Sequence, residues 1–370
     1  MNMMGVIFSN VYDERLGEVT ARRTVASLPF GGRYRLIDFV LSSMVNAGIT
    51  NVGVITKQNY QSLMDHLGSG AEWDLDRKVD GLFILPPFGQ GQKSVYRGKL
   101  EALWGARKFL ERSNEEYVLL ADTNIICSID YRKMLKRHIE SGAQISMITT
   151  REEISGLGDS CDVVVRSDTT GRVKDVLMHY GIPGIENAGM GMYILKRTFL
   201  IELLRKSHSY NLVDFERDII QAKCAYLNIA ELPFDGKILR IDSLGKYFSA
   251  NMALLDPSVR DEIFTRHGLV YTKIRDEVPT LYGTGCKLTN SLIADGCKIF
   301  GTVENSILFR GVTIEKGAHV KNCIIMQDTK IGEDVRLDYT ICDKEVTITT
   351  GRVLTGAPAH QIVITKGKVV

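Results

Sequence analysis

A chain of 370 residues, 44% hydrophobic and 24% charged, has the make-up of a folded globular protein and is longer than one core usually fills, so two domains are expected. Its 46 Lys and Arg against 44 Asp and Glu leave a formal charge of +2, which gives no field that would gather nucleic acid or an anionic membrane. Residues 1–10 (MNMMGVIFSN) carry no signal-peptide pattern and no segment is apolar for long enough to span a bilayer, so a cytoplasmic location is expected. The seven cysteines and seven histidines are scattered without C-x-x-C or zinc-ligand spacing, which predicts reduced thiols and no structural metal.

In chain order, short β-branched runs alternate with amphipathic helical stretches. Strands are predicted at Met4–Phe8, Asn51–Ile55, Tyr117–Leu120, Ile145–Thr149 and Asp162–Val165, and helices at Leu36–Ala47, Lys99–Glu111 and Tyr131–Glu140. This is the pattern of an α/β domain with a mixed, mostly parallel sheet, expected over residues 1–256. The glycine-rich run Phe88-Gly89-Gln90-Gly91-Gln92 lacks a following helix-start lysine and reads as a loop rather than a phosphate cradle. Trp73 and Trp104 read as packing residues.

A linker is expected at 257–279. Beyond it apolar residues recur about every six positions, at Ile293, Ile299, Ile314, Val320, Ile331 and Leu337. The phrases Asn290-Ser291-Leu292-Ile293, Asn305-Ser306-Ile307-Leu308 and Asn322-Cys323-Ile324-Ile325 show a longer repeat that contains the short one. One short strand cannot bury its own apolar face, whereas stacked coils bury a continuous column, so residues 280–370 are predicted to form a parallel β-helix. His319 reads as a surface rung residue.

Phe30-Gly31-Gly32-Arg33-Tyr34-Arg35-Leu36-Ile37-Asp38-Phe39, then Tyr96-Arg97-Gly98, Gly189-Met190-Gly191-Met192-Tyr193, Phe215 with Asp218-Ile219-Ile220, and Ala250-Asn251-Met252 occur in the order found in glucose-1-phosphate adenylyltransferases. The chain resembles that family along essentially its whole length. The resemblance implies a Rossmann-like nucleotidyltransferase domain followed by a left-handed β-helix of hexapeptide repeats. It also implies chemistry that joins ATP and glucose 1-phosphate into ADP-glucose and pyrophosphate, assisted by a divalent metal, magnesium in the usual case.

Where the family carries G-G-x-G-T-R-L around the triphosphate, this chain reads Asn10-Val11-Tyr12-Asp13-Glu14-Arg15-Leu16. Arg15 is retained, but Asn10, Val11 and Asp13 replace glycines and Glu14 replaces threonine. A carboxylate about 4 Å from a phosphate oxygen costs roughly 4 kcal/mol at an effective dielectric of about 20. Four further departures follow from the resemblance. Val25 stands for a phosphate-contacting lysine, Asn124 for a metal-binding aspartate, His179 for a sugar-phosphate lysine, and Arg240 for a second metal aspartate. An amide or a cation is a poor substitute for a carboxylate at a hard divalent ion.

The resemblance therefore implies a regulatory subunit, with no catalytic residues, no cofactor of its own and no bound metal. Its expected partner is a catalytic paralogue in a heterotetramer, with a homo-oligomer as the alternative. Two other readings stay open: an active transferase whose metal site has shifted to Asp122 and Asp242, or a sensor binding a nucleotide or sugar phosphate. Arg22, Arg23, Arg33 and Arg35 are candidate effector or anion residues, set against a solvated basic face or ion pairs.

Overall fold

The computed structural model describes residues 1–11, 13–87, 96–154 and 161–370, so Tyr12 and the glycine-rich stretch after Pro87 lie outside the described residues. Nine strands build the principal sheet: β1 (Met3–Phe8), β2 (Asn51–Ile55), β3 (Gly81–Leu85), β4 (Tyr117–Asp122), β5 (Ile145–Ile154), β6 (Cys161–Ser167), β7 (Val173–Tyr180), β8 (Gly184–Lys196) and β9 (Ile229–Pro233). The first four run parallel in the order β3-β2-β1-β4, and antiparallel β8 then joins β4 to β5 and β6. Buried on both faces, β1 and β2 need apolar residues throughout rather than alternation, which is why MMGVIF and NVGVI read as continuous runs.

Helices α1 (Leu36–Asn46), α2 (Gln61–Leu67), α3 (Lys99–Gly105), α4 (Arg107–Arg112), α5 (Tyr131–Ser141), α6 (Arg197–Ser209), α7 (Leu244–Ala253) and α8 (Pro257–Phe264) pack around this sheet. The helix expected over Lys99–Glu111 is interrupted at Ala106, immediately after Gly105, whose lack of a side chain weakens a helix interior. The expected linker begins as a docked helix. Asp256 caps α8 by accepting from the Ser258 N–H, Pro257 occupies its first turn, and Val259 and Ile263 are buried.

Residues 281–364 form three five-stranded parallel sheets, the walls of a left-handed β-helix. Lys287, Thr302, His319, Arg336 and Val353 stack in register along one wall. Of the predicted rung residues, Ile299, Ile314, Val320, Ile331 and Leu337 are buried in the column. The repeated asparagines sit at its corners. Asn290, Asn305 and Asn322 have φ of 43°, 45° and 49°, a left-handed conformation that Asn tolerates better than most residues, and Asn290 Nδ2 donates to Asn305 Oδ1 at 2.9 Å.

The two domains share one apolar cluster: Val19, Leu28, Phe248, Leu254 and Ile263 pack with Ile307, Phe309, Ile324, Met326 and Ile341. Within it Arg23 Nη2 donates to both carboxylate oxygens of Asp343 at 2.7 Å, and both side chains are 5% exposed. Among the described residues no helix is long and apolar enough to cross a membrane.

Removing either partner of a buried ion pair strands the other charge, whereas removing both does not. Arg23→Met and Asp343→Asn are each expected to lower the unfolding free energy by about 3–5 kcal/mol. The Arg23→Met/Asp343→Asn double variant should lose less than the sum of the singles, as measured by urea denaturation.

Candidate functional site

A cleft lies at the carboxyl ends of β1 and β4, where open α/β sheets place their ligands. It encloses about 480 Å³ and is lined by Asn10, Val11, Asp13, Glu14, Arg15, Asp122, Asn124, His179 and Arg240 together. Eight of these nine positions were singled out from the resemblance, and Asp122 from the shifted-metal alternative. Val25 is not among them; it is fully buried in the core shared by the two domains.

The turn after β1 is closed on itself. Asn10 Oδ1 accepts from the Lys57 N–H at 2.8 Å and from the Ser9 hydroxyl at 2.9 Å, while Asn10 Nδ2 donates to the Asp13 carboxylate. Asp13 Oδ1 also accepts from the Val25 N–H at 2.8 Å. Asp13 therefore faces the protein, and an oxygen of its own side chain takes a backbone donor. Burial raises the Asp13 carboxyl above its ordinary value, partly offset by the Val25 N–H and the Asn10 amide. Glu14 and Arg15 are exposed at the rim.

The floor of the cleft carries a cation that the sequence reading passed over. Lys99 Nζ donates to Asp122 Oδ2 at 2.7 Å and to Glu216 Oε1, and Tyr193 OH donates to the same Glu216 oxygen at 3.1 Å. Burial alone would lower the Lys99 pKa, but the Asp122 and Glu216 carboxylates outweigh it and hold the ammonium well above its ordinary value. Two glycines make room. A Cβ at Gly98 would lie 2.5 Å from Val213 O, and one at Gly191, where φ is +65°, would collide with the Asp122 carboxylate. Lys99 and Glu216 each adjoin a segment of the family resemblance, yet 117 residues separate them and no local spacing links them.

On the opposite wall, the antiparallel ribbon of Ile125–Cys127 and Ile238–Arg240 places Arg240 beside Ile125. The guanidinium makes a two-nitrogen contact with Glu152, including Nη2 to Oε1 at 2.6 Å, and donates to Gly189 O at 3.0 Å. Asn124 is buried and its backbone carbonyl accepts from Ile241 N–H at 2.7 Å. His179 has a φ of 52° at the end of β7 and is exposed to the cleft. Asp242 lies outside the lining and accepts from Lys246 Nζ at 3.1 Å.

A hard divalent ion needs several oxygen ligands with negative charge to spare. Here Asp122 and Asp242 each carry an ammonium, and among the described residues no group of three or more His, Cys, Asp or Glu could hold a metal. The residues present do not fit a divalent-metal site, and no reaction step is derived through one.

A second cavity, about 530 Å³, opens where the α/β domain meets the β-helix. Arg22, Arg33 and Arg35 line it from one side and Lys273, Arg275, Arg310, Lys344 and Lys366 from the other, with Asp65 and Glu345 as the carboxylates. Eight basic residues and two carboxylates line it; Arg275 pairs with Glu277 at 2.7 Å and Lys366 with Glu345 at 3.1 Å, which leaves an excess of basic groups. Arg23, grouped by sequence with its arginine neighbours, does not join them: its guanidinium is committed to Asp343 in the buried core. Arg35 Nη1 donates to Ser62 Oγ at 2.9 Å, and burial lowers its pKa to about 10. Arg310 is 7% exposed, and its Nε and Nη2 have no hydrogen-bond partner among the described residues. Buried guanidinium nitrogens left without an acceptor are costly.

The sheet, the cleft at its strand ends and the appended coils define a nucleotidyltransferase-type domain joined to a hexapeptide β-helix. The nucleotidyl transferase family profile matches residues 4–251, and a GlmU-like, C-terminal hexapeptide profile matches residues 278–361. The chain is 36% identical over 367 residues to the glycogen biosynthesis protein GlgD of Bacillus subtilis, covering 99% of this chain and 96% of that one. It is 39% identical over 324 residues to GlgD of Geobacillus stearothermophilus, covering 86% and 82%. A glucose-1-phosphate adenylyltransferase of Fervidobacterium nodosum is 30% identical over 353 residues, covering 95% and 85%. The chain belongs to the glucose-1-phosphate adenylyltransferase family.

Replacing Lys99 with Met would leave Asp122 and Glu216 facing one another without their shared counter-ion. A loss of about 3–5 kcal/mol is expected in urea unfolding, and adding Glu216→Gln should recover part of it. A Lys99→Met chain as stable as its parent would show that the ammonium does not hold the cleft floor together.

Proposed function

We propose that this chain is a non-catalytic, regulatory subunit of glucose-1-phosphate adenylyltransferase in the cytoplasm, acting on a catalytic paralogue within a heterotetramer that supplies ADP-glucose for glycogen synthesis. The observation that carries this reading is the Lys99 ammonium bonded to Asp122 and Glu216 on the cleft floor. A protein cation sits on the carboxylate that would otherwise be the cleft's best ligand for a metal, and the Arg240–Glu152 pair closes the opposite wall. Glu14 adds negative charge at the exposed rim, where a triphosphate would have to enter.

Metal-assisted phosphoryl transfer depends on fixed positive charge aimed at the phosphates. In this cleft, Lys99 and Arg240 spend theirs on neighbouring carboxylates. The divalent metal, magnesium in the usual case, belongs to the catalytic partner. The basic pocket at the domain junction gives the regulatory role a place to act, since an anion bound there touches both domains at once. Arg22, Arg33 and Arg35 then serve as effector residues, while Arg23 holds the domains together.

Assays of ADP-glucose synthesis test the proposal. The purified chain alone should turn over at least ~1,000-fold more slowly than the catalytic paralogue. Mixing the two should change the paralogue's effector response, the coupling free energy that regulation requires. Robust turnover by the chain alone, or a mixture that behaves like the paralogue alone, would refute it.

A further inference from the structure

Between the edge of the principal sheet and α4 lies a cavity of about 610 Å³. Among the described residues only Tyr96 lines both this cavity and the cleft. Alternate residues of a strand point to one face, so β2 turns Asn51, Gly53 and Ile55 the same way. Their partners on the edge strand β3 are Gly81, Phe83 and Leu85. This face looks toward α4: a Cβ at Gly53 would lie 2.6 Å from Phe109 Cε1, and the Phe109 ring tilts against Phe83 at 5.2 Å between centroids. Ile55, Leu85, Ala102 and Ala106 continue the apolar walls.

Asn51 interrupts this apolar lane. It is 4% exposed, and Gly81, opposite it, has no side chain to cover it. Asn51 Nδ2 donates to Ser113 Oγ at 3.1 Å and to Glu115 Oε2 at 3.2 Å. What those partners can do fixes the way the amide faces. Ser113 Oγ gives its own hydrogen to Phe109 O at 2.8 Å, and an ionised carboxylate has none to give, so both need the NH2 end. The carbonyl end is left over, and Asn51 Oδ1 has no hydrogen-bond partner among the described residues. A buried acceptor without a donor is costly. The exposed Asp80, Lys108 and Arg112 bring both signs of charge to the rim, so net charge is not what selects a ligand here.

We propose that this cavity is a binding site for a small, flat, uncharged apolar molecule carrying one N–H or O–H donor, with the donor on Asn51 Oδ1 and the ring against Phe83 and Phe109. Apolar walls with one placed polar group are the make-up of a small-molecule site. The walls supply most of the affinity, and the amide supplies the choice. A ligand of the same shape without the donor leaves Asn51 Oδ1 buried and unpaired, which is a strong ground for rejection.

Isothermal titration calorimetry of the full chain with indole, and with benzofuran, in which a ring oxygen replaces the N–H, tests this. The parent chain should bind indole ~10-fold more tightly than benzofuran. Asn51→Leu, which removes the acceptor, should bind the two alike. Phe83 is 42% exposed and can be shortened without opening the core, so Phe83→Ala should weaken both ligands by ~5-fold and place them in this cavity. No binding of indole to the parent chain, equal affinity for indole and benzofuran, affinities unchanged in Phe83→Ala, or a preference for indole that survives in Asn51→Leu would each overturn the proposal. The comparison of the two ligands is made on the parent chain and decides the matter even where Asn51→Leu fails to fold.

Discussion

The buried pair of Arg23 and Asp343 ties the loop that follows the cleft entrance to a coil of the β-helix. Two residues beyond Arg23, the Val25 N–H donates to Asp13 and so fixes the turn after β1. One residue beyond Asp343, Lys344 lines the junction pocket. The same short loop therefore carries Arg22, which lines the basic cavity, and the donor that fixes the turn at the cleft, and the buried ion pair anchors it between them. A charge taken so far out of water requires this two-oxygen contact, since an unpaired Arg23 or Asp343 would cost more than the fold could readily sustain.

Neutralisation within the protein is the common theme of the cleft. Lys99 meets Asp122 and Glu216, Arg240 meets Glu152, and Asp13 meets a backbone N–H and an amide. Here the cleft keeps its shape while its polar groups satisfy one another. The junction pocket is arranged in the opposite way, with Arg310 buried and two of its nitrogens unsatisfied. Unspent positive charge lies between the domains rather than at the strand ends.

The strands and coils were legible because burial dictates composition there. The β1 run announces itself by lacking polar residues and β2 by having only Asn51 at its start, and Asn290, Asn305 and Asn322 repeat because these coils turn through left-handed corners. Eight of the nine cleft positions came from the resemblance, and Asp122 from the shifted-metal alternative. Two things were not legible. Arg23 was grouped with its neighbours as an anion residue, yet its partner lies 320 residues away. Lys99, Glu216, Arg310 and Lys344 went unnoticed because only the tertiary fold gives them companions, and no spacing along the chain records that Lys99 will meet Glu216.

The separation of Arg23 and Asp343 also orders events in time. Coils of the β-helix contact the coil before them, about one rung back along the chain, so that domain grows by short steps as residues become available. The parallel sheet asks only for residues up to β9. The clamp between domains must wait until residue 343 has emerged from the ribosome, and the face formed by Val19, Phe248 and Ile263 is covered only as the coils carrying Ile307, Ile324 and Ile341 arrive. A nascent chain stalled before the first of those coils would thus carry an α/β domain with an apolar face still open to solvent, so the making of the β-helix is the interval in which that face is exposed.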